Sequence, residues 1–563
     1  MLKNFKIAVA QLNPIVGDIV GNITKARQVR NEATRLGADI VLFTELFISG
    51  YPPEDLVFNK SFIQKCYTEL NTLKNDTNDN GAGVIIGFPR QSKEGILNSV
   101  AILDGGNIVA IRDKINLPNY NEFHEKRTFV SGYSNNPVVF RGIQLGVLIC
   151  EDIWENSNIC RNLKKQGAEF LLSINASPYC HNKLRKRHEI VRKQISHVNI
   201  PIIYVNQVGG QDELIFDGAS FCFDSYQKLA FQMNHFVEQN LITKWQYDEQ
   251  VDKWSFINNP PQSKVYIPLQ EEADYHACVL SLRDYVQKNN FNKVIIGLSG
   301  GIDSALCATI AVDALGKDNV QTIMLPYKYT SHQSLEDAAA CAKALGCRYD
   351  ILPIHDLVDC FFSLMTQFLQ EEPDGIVAEN IQSRIRGNIL MAISNHSNKM
   401  LLTTSNKSEV SVGYGTLYGD MSGGFNPLKD LYKTQVYKLA SWRNSHCIVG
   451  GLGPLTEVIP LRILEKSPSA ELRFNQTDQE LLPAYPILDD IIKRIIENDE
   501  TLIDGNMQHK YTSETVRYIE NLLYNSEHKR RQSPLGTKIT SKSFGRDRLY
   551  PIINKFRNHT DKE

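Results

Sequence analysis

The sequence predicts an α/β protein made of two domains, and three observations lead to that prediction. The chain has 563 residues, whereas a single hydrophobic core stops growing at roughly 250–300 residues. In both halves, short runs of consecutive apolar residues alternate with segments of helical periodicity, as in sheets that helices cover on both faces. The hydrophobic pattern also breaks near residue 260. We therefore expect one domain over residues 1–260 and a second over residues 261–563.

The first half contains a series of short apolar runs that predict strands. Helical periodicity over residues 23–36 and 186–198 predicts helices between them. From about Trp245 the periodicity fades into two polar segments, residues 248–253 and 258–263, the second with a Pro pair. We interpret this region as a linker or an exposed crossing. The predicted strands cover residues 7–10, 40–43, 84–87, 99–103, 145–149, 170–174 and 202–205.

The most informative segment lies in the second half, after a predicted helix over residues 271–288. An apolar strand runs into Ser-Gly-Gly-Ile-Asp-Ser at residues 299–304, and an apolar helix follows. Two adjacent glycines allow a tight turn and the close approach of a ligand. The loop N–H groups, the hydroxyls of Ser299 and Ser304 and the helix N-terminus then form a cradle for an anion, without the Gly-Lys-Ser/Thr of a Walker A loop. Further strands are predicted over residues 321–325 and 400–404.

Composition and charge exclude several classes of partner. Hydrophobic residues make up 42% of the chain, charged residues 22%, and the formal net charge is −2, so no nucleic-acid or membrane partner is expected. The first apolar run is too short for a signal peptide, and no run approaches the ~20 residues that span a bilayer. The 11 cysteines are scattered without a C-x-x-C pair, which indicates a reducing compartment. We expect a cytoplasmic protein that acts on small molecules.

Three polar residues of the first half directly follow apolar segments: Glu45, Lys114 and Cys150. Side chains at the carboxyl ends of parallel strands point into the crevice where α/β proteins bind ligands. A thiol beside a carboxylate base and an ammonium group is the combination that amide hydrolysis through a thioester requires. Taken singly, each residue also has a structural interpretation: Cys150 as a buried hydrophobe, Glu45 as a helix N-cap partner and Lys114 as a surface charge.

The segments around these residues resemble the nitrilase, or carbon–nitrogen hydrolase, superfamily. The resemblance implies a four-layer αββα sandwich, with Cys150 as nucleophile, Glu45 as general base and Lys114 as stabiliser of the oxyanion. A second carboxylate of the superfamily is assigned to Glu125, with Glu122 as the alternative. The matching segments, in the order of the superfamily, are residues 45–53, 114–120, 122–129 and 150–154.

The Ser-Gly-Gly-x-Asp-Ser segment resembles the pyrophosphate loop of enzymes that split ATP into AMP and pyrophosphate. Such enzymes activate a carboxylate or carbonyl as an adenylate and pass it to a nitrogen nucleophile. A half that releases ammonia joined to a half that consumes it resembles the glutamine-dependent NAD synthetase family over nearly the whole chain. For the second half this implies a parallel-sheet, Rossmann-like domain of the adenine nucleotide α hydrolase type. The supporting segments are residues 379–387, 403–409, 415–424, 468–472, 478–483, 529–532 and 544–548.

This family resemblance also implies roles for individual residues, carried over by position. Mg²⁺ would be held by Asp303 and Glu409, whose hard oxygen atoms suit that ion together with phosphates. The implied glutamine pocket comprises Tyr120, Ser177 and Lys183, the ATP site Gly297, Leu298, Ser299, Gly300, Gly301, Ile302, Asp303, Ser304 and Thr404, and the deamido-NAD site Asn380, Glu409 and Lys529.

Two groups of basic residues keep two interpretations each. Arg384 and Arg386 are either helix-surface charges or part of the synthetase site. The basic tail at residues 529–531 is either a solvated run of charge or a surface that binds the two phosphates of a dinucleotide.

The implied activity is the hydrolysis of glutamine to ammonia, followed by ATP-dependent amidation of deamido-NAD through an adenylate, with a homo-oligomer expected from the family. Three alternatives remain. An acceptor as in GMP or asparagine synthetases is disfavoured by the nitrilase-like half and by residues 379–387. An ammonia-only synthetase is disfavoured because the Glu, Lys and Cys of the first half are all present, and a nucleotide sensor without turnover because Asp303 and Ser304 are.

Overall fold

In the computed structural model the chain forms two compact units, Met1–Ile267 and Pro268–Glu563. The structure describes residues 3–133, 135–154, 158–257, 266–501, 507 and 509–556, so the predicted linker at residues 258–263 lies outside the described part. Within that part, every helix is too short or too polar to cross a bilayer.

The first unit contains fifteen strands and six helices among its described residues. Each of the seven strands predicted in this half overlaps one of them, and both predicted helices are confirmed. The strands are β1 (Asn4–Gln11), β2 (Ile40–Leu42), β3 (Gly83–Gln91), β4 (Ile96–Asp104), β5 (Asn107–Asp113), β6 (Val138–Phe140), β7 (Ile143–Ile149), β8 (Phe170–Asn175), β9 (Ile202–Asn206), β10 (Val208–Gln211), β11 (Leu214–Asp217), β12 (Phe221–Phe223), β13 (Leu229–Gln232), β14 (Gln239–Asp248) and β15 (Lys253–Ile257). The helices are α1 (Ile19–Arg35), α2 (Lys60–Asp76), α3 (Glu125–Thr128), α4 (Glu151–Trp154), α5 (Ile159–Lys165) and α6 (Lys183–Val198).

Two sheets form the middle of this unit, and helices cover their outer faces. One sheet has the order β15-β14-β1-β2-β3-β4-β5 and the other β13-β12-β9-β8-β7-β6. Alternate residues of both sheets, such as Val9, Leu42, Val147 and Leu172, pack in one buried cluster between them. The opposite faces pack on α1 and α2 in one sheet and on α5 and α6 in the other. Strands buried on both faces explain the unbroken apolar runs, and the predicted αββα sandwich is confirmed.

The interpretation of residues 248–253 as part of a linker is wrong. They form the turn of a hairpin in which β14 pairs antiparallel with β15, from Asp248 opposite Lys253 onward. Trp245 and Trp254 are 1% and 3% exposed, so the hairpin buries one face on the core. The turn is polar because only its strands face the interior, and a polar turn between two half-buried strands resembles a linker in sequence.

The second unit is built on a four-stranded parallel sheet of order β18-β17-β16-β19. The chain runs outward from β16 to β18 on one side and returns to β19 on the other, which creates a topological switch point between β16 and β19. This is the predicted Rossmann-like arrangement. The strands are β16 (Val294–Gly297), β17 (Val320–Met324), β18 (Arg348–Ile351) and β19 (Met400–Leu402).

Helices surround this sheet, and the one that follows β16 begins inside the predicted anion loop. They are α7 (Gln270–Lys288), α8 (Ile302–Leu315), α9 (His332–Leu345), α10 (His355–Leu369), α11 (Gly375–Ser397), α12 (Lys407–Val412), α13 (Lys433–Ser445), α14 (Leu461–Glu465), α15 (Tyr485–Glu497), α16 (Ser513–Asn525) and α17 (Glu527–Arg530).

Candidate active sites

Strand ends of the first unit position its candidate site. Glu45 lies three residues beyond β2, Lys114 directly follows β5, and Cys150 directly follows β7. Cys150 has a left-handed backbone, with φ of 44°, and its N–H donates to the Ile174 carbonyl at 2.9 Å. A residue with a side chain rarely adopts this conformation, and such strained positions cluster at functional sites. The tight turn between β7 and α4 therefore fixes where the thiol lies.

Lys114 links two buried carboxylates. Its Nζ lies 2.7 Å from Glu45 Oε1 and 2.8 Å from Glu125 Oε2, and the three side chains are at most 5% exposed. Glu125, and not the alternative Glu122, is thus the carboxylate that the structure brings to Lys114. Burial alone would lower the pKa of Lys114, but Glu125 and Glu45 raise it well above its usual value. The group is an ammonium at any physiological pH, and its charge makes the burial of the carboxylates tolerable.

Two further side chains, which sequence reasoning missed, hold these carboxylates in place. Asn98 Nδ2 donates to Glu45 Oε1 at 2.8 Å, and the Ala176 N–H donates to Glu45 Oε2 at 3.0 Å. The Tyr51 hydroxyl donates to Glu125 Oε1 at 2.9 Å. An Asn in a buried strand was the one signal for Asn98, because a buried amide needs a partner.

The thiol and the second carboxylate both have shifted acidity. Burial raises the pKa of Cys150 well above its usual value, Glu45 adds to this, and Lys114 opposes it. Burial raises the pKa of Glu125 to about 7, with Lys114 opposing and Glu45 adding. Cys150 is therefore a neutral thiol at rest, and it needs a base before it can act as a nucleophile.

The predicted glutamine-pocket residues surround the turn that carries Cys150. The Tyr120 hydroxyl donates to both carboxylate oxygens of Glu151, at 3.1 and 3.0 Å. Lys183 opens α6, and its Nζ lies 4.4 Å from the centre of the Trp154 ring. Ser177 follows β8 and is buried. Sequence reasoning missed Glu151 and Trp154, although both lie within the segment that pointed to Cys150.

The predicted ATP loop of the second unit has the expected form. The N–H of Ser299 donates to Ser304 Oγ at 3.2 Å, and the two hydroxyl oxygens lie 3.1 Å apart. Gly300 has φ of 79°, and a Cβ there would lie 2.4 Å from the Ser334 carbonyl oxygen. The loop thus requires glycine at this position and brings its hydroxyls to the N-terminus of α8, where the helix dipole favours an anion.

Asp303 and Glu409, the predicted metal ligands, converge on one lysine. Lys433 Nζ lies 2.6 Å from Asp303 Oδ2 and 3.1 Å from Glu409 Oε1. Asn406 Nδ2 donates to Asp303 Oδ1 at 2.8 Å, and Asn406 and Glu409 form the capping box of α12. Burial raises the pKa of Glu409 to about 7, with Lys433 opposing and Asp303 adding. Sequence reasoning missed Lys433, whose sequence context is that of an ordinary helix start.

Asp303 and Glu409 present hard carboxylate oxygens, the kind of ligand that suits Mg²⁺. Both contact the Lys433 ammonium, so a metal ion would bind them only after that ammonium had moved. No group of three or more His, Cys, Asp or Glu side chains suited to a metal occurs among the described residues.

The residues predicted for deamido-NAD do not all meet. Asn380 accepts from Thr416 Oγ1 at 2.8 Å, and Lys529 Nζ donates to the carbonyls of Gly413 and Gly415, at 2.7 Å each. These two therefore meet at the loop after α12, whereas the carboxylate of Glu409 faces the ATP loop. Thr404, predicted for ATP, lies two residues beyond β19, the strand next to β16.

The basic tail is partly structural: Arg530 is buried, so the phosphate-binding interpretation is wrong for that residue and stays a prediction for Lys529 and Arg531. Arg530 is 6% exposed and donates to Glu527 Oε2 at 2.8 Å and to the Ser411 carbonyl at 2.7 Å. Arg531 pairs with the same Glu527 at 3.2 Å. A buried carboxylate at the start of α17 thus gathers guanidinium groups that the sequence shows only as a run of charge.

The two arginines of α11 differ in their surroundings. Arg386 Nε donates to the Leu325 carbonyl at 2.9 Å, and burial lowers its pKa to about 10. Arg384 is exposed and donates to the Leu417 carbonyl at 3.2 Å. Arg384 is thus an exposed charge of the helix surface, whereas Arg386 is partly buried, and a role of either residue in the synthetase site stays a prediction.

A cavity of about 800 Å³ lies beside β19, and the predicted deamido-NAD residues do not line it. Its walls include three methionines and the Ser-Gly-Gly segment at residues 422–424. The ring of Tyr285, which lines it, stacks on Phe425 at 4.3 Å between centroids. Lining residues include Tyr285, Met391, Lys399, Tyr418, Met421 and Gln532.

Comparisons with known proteins match both halves. The carbon-nitrogen hydrolase family matches residues 6–251, and the NAD synthase family matches residues 274–533. The glutamine-dependent NAD(+) synthetase of Rhodobacter capsulatus is 41% identical over 560 residues, covering 100% of both chains. This chain belongs to the glutamine-dependent NAD(+) synthetase family. The enzyme of the same name from Acinetobacter baylyi is 40% identical and covers 99% of both chains.

Solved structures agree with this assignment to the NAD(+) synthetase family. The glutamine-dependent NAD+ synthetase from Acinetobacter baumannii, in complex with ADP, is 38% identical with a TM-score of 0.76, covering 99% of this chain and 100% of that chain. The counterpart from Cytophaga hutchinsonii, 19% identical, shares the fold with a TM-score of 0.80, over 99% and 98% of the two chains. The predicted family is confirmed, and with it a ligase that joins glutamine hydrolysis to NAD synthesis.

Proposed function

We propose that the first unit makes ammonia from glutamine with Cys150 as nucleophile. Glu45 takes the thiol proton, and the sulfur attacks the carboxamide carbon of glutamine. The Lys114 ammonium stabilises the oxyanion that forms. The C–N bond then breaks, ammonia leaves with the proton from Glu45, and water hydrolyses the glutamyl thioester to glutamate.

One observation carries this proposal: the buried ammonium of Lys114 lies between Glu45 and Glu125, both within 2.8 Å. An ammonium held by two buried carboxylates is fixed in place, as a group that stabilises a developing oxyanion must be. Glu125, with its pKa of about 7, keeps Lys114 oriented while Glu45 exchanges protons.

We propose that the second unit amidates deamido-NAD. The nicotinate carboxylate attacks the α-phosphorus of ATP, and pyrophosphate departs toward the loop N–H groups and the hydroxyls of Ser299 and Ser304. Ammonia then attacks the acyl carbon, AMP leaves, and the amide of NAD forms. Holding the reactants in the correct orientation lowers the activation barrier, because their translational and rotational freedom is already lost on binding.

Asp303 and Glu409 would hold Mg²⁺ in this reaction. When bound, the ion would neutralise charge on the departing pyrophosphate. Lys433 occupies the position between the two carboxylates here, which supports a site built for positive charge.

The dinucleotide would contact Asn380 and Lys529 at the loop after α12. The cavity of about 800 Å³ beside β19 has the size of a small-molecule site and an aromatic wall at Tyr285, so we propose that it receives one end of deamido-NAD.

The cysteine content bears on the cellular compartment. The 11 cysteines are all free, which supports a reducing compartment, and we propose the cytoplasm. A homo-oligomer is proposed from the family alone. Measuring the mass of the purified protein by light scattering tests it.

Formation of AMP and NAD from deamido-NAD, ATP and Mg²⁺ tests the whole proposal, with glutamine or ammonium as nitrogen source. Wild type should use both sources. Cys150→Ala should lose glutamine-driven synthesis and keep ammonium-driven synthesis, because only the nucleophile is removed.

Cys160→Ala is the matched control, since that thiol is also buried and follows the same turn. Equal glutamine-driven rates in Cys150→Ala and wild type would show that the thiol is structural. Failure of both nitrogen sources in wild type would show that the acceptor is wrong.

A further inference from the structure

Two buried side chains, Asn206 and Arg187, hold Ser177 in place. Asn206 Oδ1 accepts from the Ser177 N–H at 2.9 Å, and Asn206 Nδ2 donates to the Ser177 carbonyl at 3.1 Å. Arg187 Nη2 donates to the same carbonyl at 2.7 Å, and Arg187 Nε donates to Ser177 Oγ at 3.2 Å. The backbone and the hydroxyl of this one serine are therefore both fixed.

Arg187 itself is held rigidly. Its Nη1 lies 2.8 and 3.0 Å from the two oxygens of Asp217, and Nη2 also donates to the Pro178 carbonyl at 3.0 Å. The guanidinium is 0% exposed and the carboxylate 2%. Burying such a pair is costly unless its hydrogen bonds are satisfied, and a planar fork is pre-organised to satisfy several at once.

These contacts limit the direction in which the Ser177 hydroxyl can donate a hydrogen bond. Because its Oγ accepts from Arg187, the hydroxyl hydrogen points away from the guanidinium. Lys183 lies four residues before Arg187 on α6, hence on the same face of the helix, and its Nζ rests over Trp154 beside the Cys150 turn. One helix thus carries both an ammonium of the pocket and the group that orients its hydroxyl.

We propose that Arg187 is a positioning residue for glutamine recognition and that it acts through Ser177. Arg187 donates hydrogen bonds to Ser177, Pro178 and Asp217. These bonds keep the Ser177 hydroxyl and carbonyl in a fixed position relative to Lys183. This inference rests on the proposed function, in which Ser177 and Lys183 bind glutamine. Arg187 is then a further determinant of glutamine binding, although in the sequence it stands among the other charged residues of α6.

Arg187→Lys tests the proposal, because lysine keeps the charge opposite Asp217 and loses the fork. We expect the KM for glutamine to rise about tenfold or more, as loss of charge-assisted hydrogen bonds at a buried site implies. The kcat with saturating glutamine should stay within about threefold, and ammonium-driven synthesis should equal that of wild type. Labelling of Cys150 by the glutamine analogue 6-diazo-5-oxo-L-norleucine should need correspondingly more reagent.

Arg192→Lys is the matched control, since Arg192 lies on the same helix, is exposed and rests on Phe223. It should leave the KM for glutamine unchanged. If Arg187→Lys does not fold, Asp217→Asn, which frees the fork without removing it, is measured in the same way with the same expected direction.

Two outcomes overturn the inference: an unchanged KM for glutamine, or an equal loss of glutamine-driven and ammonium-driven synthesis, which indicates general damage. Failure of the proposed function has a different signature, since wild type itself would then fail to use glutamine.

Discussion

The two candidate sites hold the same arrangement of charges at different depths. In the first unit, Lys114 lies between Glu45 and Glu125, and the three side chains are 0–5% exposed. In the second, Lys433 lies between Asp303 and Glu409, which are 16% and 19% exposed, and Ser299 of the neighbouring loop is exposed. The first site thus depends on a buried ammonium, whereas the second depends on an exposed glycine loop.

This difference predicts that the second site is most sensitive to backbone changes in its loop. Gly300→Ala should lower ammonium-driven synthesis by about 100- to 1,000-fold, as loss of anion-binding N–H groups does. The reason is a left-handed φ of 79° and a Cβ that would lie 2.4 Å from the Ser334 carbonyl oxygen. Initial rates of AMP formation measure it.

Gly316→Ala is the matched control for the loop. Gly316 also has a left-handed φ, 82°, but a Cβ there would meet nothing closer than 3.9 Å. Only backbone strain of about 1–3 kcal/mol should remain, since Gly316 has ψ of 152°, with synthesis near the wild-type rate. If Gly300→Ala retained more than about a fifth of the rate, the loop would not be the anion cradle.

The first site should instead be most sensitive to loss of its central charge. Lys114→Met leaves two buried carboxylates unpaired, so it should destabilise the protein by about 3–5 kcal/mol. Glutamine hydrolysis should fall by about 100-fold or more through loss of oxyanion stabilisation. Ammonium-driven synthesis, measured below the unfolding temperature, should persist.

Lys65→Met removes a lysine from a surface pair with Glu69, where the Lys side chain is 48% exposed. It should cost less than about 1 kcal/mol. Equal denaturant midpoints for Lys114→Met and Lys65→Met would contradict the assignment of Lys114 as the buried hub.

The raised pKa of Glu125 predicts the direction in which the stability of the protein changes with pH. Its pKa is raised from 4.5 to about 7, so between those values the folded state keeps a proton that the unfolded state has released. That contribution to stability is present at low pH and is lost as pH rises through 7. Glu125→Gln cannot ionise, so the stability of wild type relative to Glu125→Gln should fall by about 3 kcal/mol between pH 5 and 8.5.

Urea unfolding at several pH values measures this gap. Both proteins share every other titrating group, so the difference isolates Glu125 and its coupling to Glu45. A gap that is independent of pH would mean that Glu125 stays ionised throughout, and its role beside Lys114 would then be purely electrostatic.

The residues of the candidate sites differ in how well the sequence alone identified them. Cys150, Glu45 and Lys114 were identified by the resemblance of their segments to the nitrilase superfamily, and their roles stay predictions. Asn98 and Arg187 were not, since each reaches its partner across the fold and carries no chemistry of its own. Arg187 stands in a run of charges that indicates a solvated helix face, and only its burial reveals otherwise.

The fold was predictable for the same physical reason. Strands buried on both faces, such as β8, leave an unbroken apolar run, and all seven predicted strands of the first unit are of this kind or nearly so. The β14–β15 hairpin was not predictable as such, because its strands have one exposed face and its turn has the composition of a linker. Runs of apolar residues predicted the strands of the core but not the half-exposed strands β14 and β15 at the edge of the sheet.

A smaller effect is expected on the Mg²⁺ requirement of the second site. Glu409→Gln should raise the Mg²⁺ concentration for half-maximal ammonium-driven synthesis roughly tenfold, the equivalent of about 1.4 kcal/mol, because one of two carboxylates is lost. Glu514→Gln, on the exposed face of α16, should leave it unchanged. An unaltered Mg²⁺ requirement in Glu409→Gln would remove that residue from the metal site.

The smallest expected effect tests whether the basic tail contributes to binding at all. Arg531→Ala breaks a partly exposed pair with Glu527, where the Arg side chain is 43% exposed, and such pairs contribute less than about 1 kcal/mol. The KM for deamido-NAD should change by less than about threefold, whereas Lys529→Met should raise it about tenfold. If Arg531→Ala matched Lys529→Met, the tail would bind phosphate through its charge. The synthetase site would then depend on long-range attraction, in contrast to the glutaminase site, where every charge is in contact with its partner.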